Sequence, residues 1–243
     1  MSILPEEKDR LRAEQARSEE FLGWFREIGA IQSGHFVLTS CKHSKVYINK
    51  DAIYPHVLQL SRICQNIANY FRYSLAQPTE VVAAPALGGI ALSQWTAYHL
   101  AEEPLDIAEI PFAIYAEKSD GILEFRRGYD RLIPGRRVLV VDDILTTGGS
   151  VIGVIDAVRK LGGSVVGVGV LCNRGGITAE QLDVPLLYSL TSLPTDAWDE
   201  PECPLCREGV EINTDVGKGK EYLAKKASAG EKEPKKDLYT EGR

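Results

Sequence analysis

Two adjacent carboxylates, Asp142 and Asp143, end the apolar run Val138-Leu139-Val140-Val141, and Thr146, Thr147, Gly148, Gly149 and Ser150 follow closely. These residue types in this order describe two devices in series. A helix opening at glycines offers unpaired backbone N–H groups and a positive dipole end, and the glycines let an anion approach the backbone. The hydroxyls add donors, so a phosphate monoester is the natural occupant. The carboxylates just before can accept hydrogen bonds from a diol or sit near a hydrated Mg2+. A phosphate at one end and a polyol at the other describe a phosphosugar. A TTGG run alone is explained by Asp143 capping a turn and glycines allowing close packing; two acids joined to TTGGS at a strand–helix junction favour phosphate. The chain has neither the GxxxxGK[ST] of a P-loop nor a GxGxxG opening a helix, which argues against a P-loop NTPase and a dinucleotide fold.

The elements that must hold this segment are legible in outline. Residues 4–31 read as a helix, with Phe21, Leu22, Phe25 and Ile28 in one apolar stripe. Two strand-like runs at 36–40 and 45–50 read as a hairpin, and 57–73 as a helix carrying Leu60, Ile63, Ile67, Tyr70 and Phe71 on one side. From Val81 the pattern alternates. Strands are expected at 81–84, 112–116, 137–141, 165–171 and 184–190, and helices at 90–100 and 150–161, the latter stopped by Gly162-Gly163. Residues 85–89 read as a turn, 119–129 as a loop or loose hairpin, and 142–149 as a loop. Short β-branched runs alternating with helices imply βαβ units and a mostly parallel sheet flanked by helices, an α/β fold. Ligands then bind beyond the carboxyl ends of the strands, after Ala84, Ala116 and Val141.

Composition narrows the classes. The chain has 243 residues, 44% of them hydrophobic and 26% charged, enough for one large globular domain. A net charge of −6 lacks the footprint of a nucleic-acid or anionic-membrane binder. No apolar stretch is long enough to span a bilayer, and the charged N-terminus MSILPEEKDRLRAEQARSEE has no signal core. Five cysteines without a framework suit reduced thiols, so the expected compartment is the cytoplasm. Cys203-Pro-Leu-Cys206 has knuckle-like spacing, but zinc wants four ligands and no second pair follows, so incidental or structural thiols are expected rather than a metal site. Among the scattered histidines, His43 is the one to watch.

VLVVDDILTTGGS resembles the 5-phosphoribosyl-1-pyrophosphate (PRPP) signature of type I phosphoribosyltransferases. The resemblance extends further. Gly34–Ser40, His43-Ser44 and Tyr47-Ile48-Asn49-Lys50 resemble the N-terminal hood of orotate phosphoribosyltransferases, and Pro85-Ala86-Leu87-Gly88-Gly89-Ile90 their pyrophosphate loop. Ala116-Glu117-Lys118 with Arg126-Arg127-Gly128-Tyr129 resembles their mobile catalytic loop, and Asn173-Arg174 occupies the place of their base-contacting arginine. The match covers about residues 20–212 in order and spacing. It implies a type I phosphoribosyltransferase-like, mostly parallel sheet flanked by helices, with a small N-terminal hood and a flexible catalytic loop. The implied organisation is a polar extension at 1–20, a transferase domain at 21–212 (hood 31–55, core 56–190) and a charged, disordered tail at 213–243.

The implied activity is transfer of the phosphoribosyl group from PRPP to orotate, giving orotidine 5′-monophosphate and pyrophosphate. Lys118, Asp142, Asp143, Arg126 and Arg127 are the implied catalytic residues. PRPP is expected on Ala86, Leu87, Gly88, Gly89, Lys118, Asp142, Asp143, Ile144, Leu145, Thr146, Thr147, Gly148, Gly149 and Ser150, and orotate on Thr146, Arg174, Tyr47 and Thr39. Mg2+ is implied as cofactor, held mainly by PRPP, with no protein metal site. The implied assembly is a homodimer sharing its mobile loops, with neither nucleic acid nor membrane as partner. Two positions depart from the usual pattern: Gly88 and Thr39 stand where many members carry lysine, leaving Lys42, Lys50 and Lys118 as candidate cations. Cys41 stands where glycine is usual. The alternatives are a phosphoribosyltransferase for another base, a PRPP-sensing regulator without catalysis, and, more weakly, a phospho-acceptor domain, in which TTGGS has no role.

Overall fold

Alternation along the strands sets the architecture. The computed structural model describes residues 5–101, 110–194 and 196–230. In chain order its strands are β1 (Ile31–Val37), β2 (His43–Ile48), β3 (Val81–Pro85), β4 (Phe112–Ser119), β5 (Ile122–Glu124), β6 (Arg137–Leu145), β7 (Ser164–Asn173), β8 (Leu187–Ser192) and β9 (Ala197–Trp198). The α-helices are α1 (Pro5–Glu27), α2 (Val57–Ser74), α3 (Gly89–Leu100), α4 (Gly149–Lys160), α5 (Pro204–Arg207) and α6 (Gly219–Gly230). They divide into two compact units, one formed by 1–31 and 49–194, the other by 32–48 and 195–243.

In the first unit six strands order as β5-β4-β3-β6-β7-β8. Neighbours from β4 to β8 pair in parallel, and β5 runs antiparallel to β4. Val82 and Ala84 of β3, Leu139 and Val141 of β6 and Leu171 of β7 face a core shared with Phe25, Ile63, Phe71 and Leu92 of α1, α2 and α3. The intervening Val81, Ala83, Val138, Val140, Val168 and Val170 face a second core with Val151, Val154, Ile155 and Val158 of α4. Successive side chains point to opposite faces, and both faces are covered, which is why the strands read as unbroken apolar runs. Each fully buried branched or aromatic side chain contributes about 1.5–3 kcal/mol. From β3 the chain crosses through α3 to β4; from adjacent β6 it crosses through α4 to β7 on the opposite side. Such a divergence opens a crevice at the carboxyl ends of the two central strands.

Several boundaries differ from the sequence expectation. The loop expected at 142–149 shrinks to 146–148, because β6 continues to Leu145. Long β7 supplies the partners (Asp142↔Val170, Ile144↔Cys172, Leu145↔Asn173). The strand at 112–116 extends to Ser119 and turns through Asp120 (φ 50) and Gly121 (φ 85) into β5, the pair of left-handed residues that suits a tight Asp-Gly hairpin. The helix expected at 4–31 is found as Pro5–Glu27, so the polar stretch before residue 20 belongs to it.

In the second unit β1, β2 and β9 form a small sheet. The β1–β2 turn is closed by Leu38 N–H to the Lys42 carbonyl at 2.8 Å and Cys41 N–H to the Leu38 carbonyl at 2.9 Å. Cys41 takes φ 63, so the turn keeps the left-handed shape that glycine would adopt, at a cost of about 1–2 kcal/mol. The tail expected to be disordered from 213 instead carries α6. Asn213 N–H and Lys218 N–H donate to the His35 and Val37 carbonyls at 2.7 and 2.8 Å, and Tyr222 packs against His43 at 5.1 Å. Composition alone hides these few anchoring contacts. Residues 231–243 lie outside the described residues. Among the described residues no helix is long and apolar enough to cross a membrane.

Candidate active site

The carboxylates emerge where β6 outruns β3, whose pairing with it reaches Ala83↔Val140. Each acid satisfies the next backbone group: Asp143 N–H donates to Asp142 Oδ1 at 2.9 Å and Ile144 N–H to Asp143 Oδ1 at 2.7 Å. The other Asp143 oxygen accepts from the Tyr54 hydroxyl at 2.7 Å and lies 3.0 Å from Lys50 Nζ. Both acids are buried. Burial, then the charge of Asp143, push the Asp142 carboxyl up to about 7 against the opposing Asp143 N–H and Lys50. Burial raises the Tyr54 hydroxyl strongly, with Asp143 adding to it, so Tyr54 stays a donor. Burial opposes the charge on Lys50, but Asp143, Asp142 and Asp51 together outweigh it and hold its pKa above the ordinary lysine value.

Gly88 closes this cluster. A Cβ there would lie 2.3 Å from Asp143 Oδ2, 2.7 Å from the Tyr54 hydroxyl and 3.2 Å from Lys50 Nζ. A side chain at position 88 would push these three side-chain ends aside, and the positive charge beside Asp143 comes instead from Lys50, on another element. Of the other candidate cations, Lys42 pairs with Asp199 at 3.4 Å in the second unit, and Lys118 sits on the β4–β5 hairpin.

Thr146 and Thr147 are exposed, Gly148 takes φ 81 as the cap of α4, and exposed Gly149 and Ser150 open the helix. The first-turn N–H groups of α4 are thus presented outward, as an anion site requires. Leu145 belongs to the core, while its carbonyl accepts from Arg174 N–H at 2.9 Å and Gly175 N–H at 3.0 Å. Asn173 braces the same loop by accepting from Ile177 N–H at 3.1 Å and donating to the Ile177 carbonyl at 2.8 Å. Backbone bonding therefore ties Arg174 to Leu145, the last residue before the 146–148 turn. On the other flank, Ala86 N–H donates to the Ala116 carbonyl at 2.8 Å, Leu87 is 84% exposed, and the Ala86–Leu87 peptide is cis.

Lys118 lines a cavity of about 600 Å3 together with Ala86, Leu123, Gly149, Ser150 and Asp156. Arg126 and Arg127 are held on their own hairpin, Arg126 to Glu124 at 3.2 Å and Arg127 to Glu117 at 2.9 Å. The structure thus gathers Ala86–Gly89, Asp142–Ser150, Lys118 and Arg174 within the first unit, with both loop arginines occupied by neighbouring acids. Thr39 and Tyr47 belong to the second unit, where Tyr47 packs on Phe36 at 5.5 Å. Sequence reasoning missed Tyr54 and the backbone role of Gly175. Neither lies in a motif, and only the fold brings them to the loop.

Residues 49–185 match the family model described as a phosphoribosyl transferase domain. The chain is 38% identical over 196 residues to an orotate phosphoribosyltransferase of Caldicellulosiruptor bescii, covering 80% of this chain and 94% of that protein. It is 35% identical over 189 residues to one of Chlorobium phaeobacteroides, covering 78% and 90%. The crystal structure of orotate phosphoribosyltransferase from Aeropyrum pernix superposes with a TM-score of 0.55 at 27% identity, covering 70% of this chain and 92% of that one.

Proposed function

The chain belongs to the phosphoribosyltransferase family and, within it, to the orotate phosphoribosyltransferases, and we infer that it transfers the phosphoribosyl group of PRPP to N1 of orotate, yielding orotidine 5′-monophosphate and pyrophosphate. It is a glycosyltransferase. One observation carries the reading: two buried acids at the end of β6 lead directly into the exposed N-terminus of α4, with Arg174 fastened beside that turn.

In this reaction positive charge grows on the ribose as its C1–O bond to pyrophosphate lengthens, and negative charge grows on the leaving group. No covalent protein intermediate is needed, so the catalytic work is positioning and electrostatic stabilisation. Asp142 and Asp143 accept from the ribose hydroxyls and favour the cationic ring. Residues 146–150 hold the 5′-phosphate. Arg174 pairs with the anionic or carbonyl edge of orotate, which Thr146 borders. Lys118, Arg126 and Arg127 meet the pyrophosphate. Exposed ion pairs are weak, so Arg126 and Arg127 exchange Glu124 and Glu117 for pyrophosphate oxygens at little cost.

Mg2+, held mainly by PRPP, would supply charge neutralisation at the pyrophosphate that Lys118, Arg126 and Arg127 also meet. The donor set supports this: three Asp143 contacts are already taken by Ile144, Tyr54 and Lys50, and among the described residues no group of three or more acids converges here. The same reading makes the protein a cytoplasmic homodimer whose loops reach across subunits.

The test is orotate consumption followed spectrophotometrically with PRPP, with and without Mg2+, beside uracil, hypoxanthine and adenine. Orotate alone should be consumed, and only with Mg2+. PRPP-dependent loss of another base instead would overturn the assignment.

Asp142 gives a pH signature. Its folded-state pKa, about 7, exceeds the ordinary 3.8, so the folded chain binds this proton more tightly than the unfolded chain. The contribution favours folding below about pH 4 and is lost as pH rises to about 7. Asp142→Asn should remove that slope and be the more stable protein at pH 8, by a few kcal/mol in order of magnitude, while losing activity. Wild-type kcat/KM for PRPP should climb through about pH 7 as the carboxylate forms. Thermal midpoints and rates across pH 4–9 check both; equal stability of the two proteins at pH 8 contradicts the burial argument.

A further inference from the structure

The second unit contains a cluster that the transfer reaction does not use. His35 of β1, His43 at the start of β2, Cys203 ahead of α5 and Cys206 within α5 bring their ligand atoms within 4.8 Å of one another. His35, His43 and Cys203 are buried and Cys206 is half-buried. Cys203 Sγ and Cys206 Sγ each lie 3.7 Å from His35 Nε2, Cys206 Sγ lies 3.3 Å from His43 Nδ1, and the two ring nitrogens are 2.8 Å apart. We propose that these four side chains bind one structural zinc ion.

The geometry suits the ion. Zn–S bonds of about 2.3 Å and Zn–N bonds of about 2.0–2.1 Å in a tetrahedron give S···N edges of about 3.5 Å, close to the three observed. The ring nitrogens need to part by about 0.5 Å to reach the matching N···N edge. His35 is already prepared: its Nδ1 lies 2.7 Å from the Val210 carbonyl. A carbonyl only accepts, so Nδ1 carries the proton and Nε2 presents a bare lone pair to the cluster. His43 is wholly buried, and its Nε2 has no hydrogen-bond partner among the described residues. Ligation through Nδ1 leaves the ring's proton on that Nε2. Two thiolates balance the charge of Zn2+, so the buried site is neutral overall. Two sulfurs and two imidazole nitrogens in a tetrahedron select zinc over hard cations such as Mg2+ and Ca2+. Four protein ligands leave no open position, which makes the ion structural rather than catalytic.

The unit also needs such a link. Among the described residues, neither hydrophobic core includes one from 32–48 or 196–230. Among the described residues, backbone pairing between these segments comprises the short β2–β9 ladder, the His35↔Ile212 bridge and a few further bonds, to which Lys42–Asp199 and the His43–Tyr222 ring contact add exposed or single contacts. Small units with thin cores commonly depend on a metal or disulfide. Here each segment supplies two ligands, so one ion would join stretches of chain that are remote in sequence.

Elemental analysis of the full chain, purified under reducing conditions without chelator, should find one zinc per chain. Thiol modification should release it to a chromophoric chelator, and chelation should lower the thermal midpoint. Loading with Co2+ should give the visible bands of a tetrahedral thiolate site. Cys203→Ser and Cys206→Ser should each abolish or sharply weaken retention; if neither variant folds, the wild-type zinc count and cobalt spectrum decide. A wild-type chain that keeps no zinc after incubation with Zn2+ and dialysis, or cobalt bands that are octahedral, would overturn the proposal.

Discussion

Replacing Asp142 and Asp143 together by Asn should lower kcat about 10³-fold, taking the range seen when one preorganised electrostatic group is lost as a floor. The amides keep the size of the acids, and their oxygens can still accept from Asp143 N–H and Ile144 N–H; at position 143 the amide nitrogen then faces the Tyr54 hydroxyl, which turns from donor to acceptor. What disappears is negative charge beside the ribose, where the transition state becomes cationic. Lys50, 3.0 Å from Asp143 Oδ2, would remain beside a neutral pair and oppose the growing positive charge. The loss should fall on kcat more than on the apparent affinity for PRPP, since the phosphate grip at 146–150 is untouched. Circular dichroism and thermal midpoint should match or exceed the wild type. Near-normal turnover in the double variant would remove both acids from the mechanism.

Gly175→Ala should lower kcat/KM about 10²-fold, the scale of loss expected when reacting groups shift by about 1 Å. A Cβ at position 175 would lie 1.7 Å from the Thr146 carbonyl oxygen. Both partners in that clash are backbone, so neither can swing aside as a flexible side chain would. Either the phosphate turn moves or the 174–177 loop lifts, and in both cases Arg174 and Thr146 lose register. Gly175 is itself exposed, so the effect on stability should be much smaller than the effect on rate. Gly23→Ala is the matched control: a Cβ there meets nothing within 4 Å, and it should leave activity unchanged. Wild-type kinetics in Gly175→Ala would mean that the two loops do not depend on each other.

The parts legible in the sequence are those written in local pattern. Val81–Ala84 and Val138–Val141 announced strands buried on both faces, and their residues do alternate between two cores. The 142–150 segment announced a phosphosugar site because its residue types are contiguous. What escaped was made by distance along the chain. Lys50 was one candidate cation among several, and its contact with Asp143 depends on a loop that arrives from before α2. Tyr54 stands in no motif, and its bond to Asp143 exists only in the fold. Cys203 and Cys206 were set aside for want of a second pair, and that pair is His35 and His43, contributed from the other end of the sequence. The end of β6 was misplaced because charged residues read as loop. The partner strand β7 and the local acceptance of backbone N–H groups by Asp142 and Asp143 keep them in the sheet. Helix α6 was hidden by a polar composition in which Tyr222 is the aromatic anchor.

The claim beneath the rest is that the N-terminus of α4 holds the phosphate of PRPP, and calorimetric titration of PRPP in Mg2+ buffer tests it most directly when wild type is set beside Gly149→Asp. A Cβ at position 149 makes only ordinary contact, 3.7 Å from Thr147 Oγ1, and an acid at a helix start is favourable for the fold, so the variant should remain folded while its charge repels the phosphate. The account predicts one PRPP bound per wild-type chain and no measurable heat with the variant at equal thermal stability. Equal binding by both proteins, or none by the wild type, would contradict it.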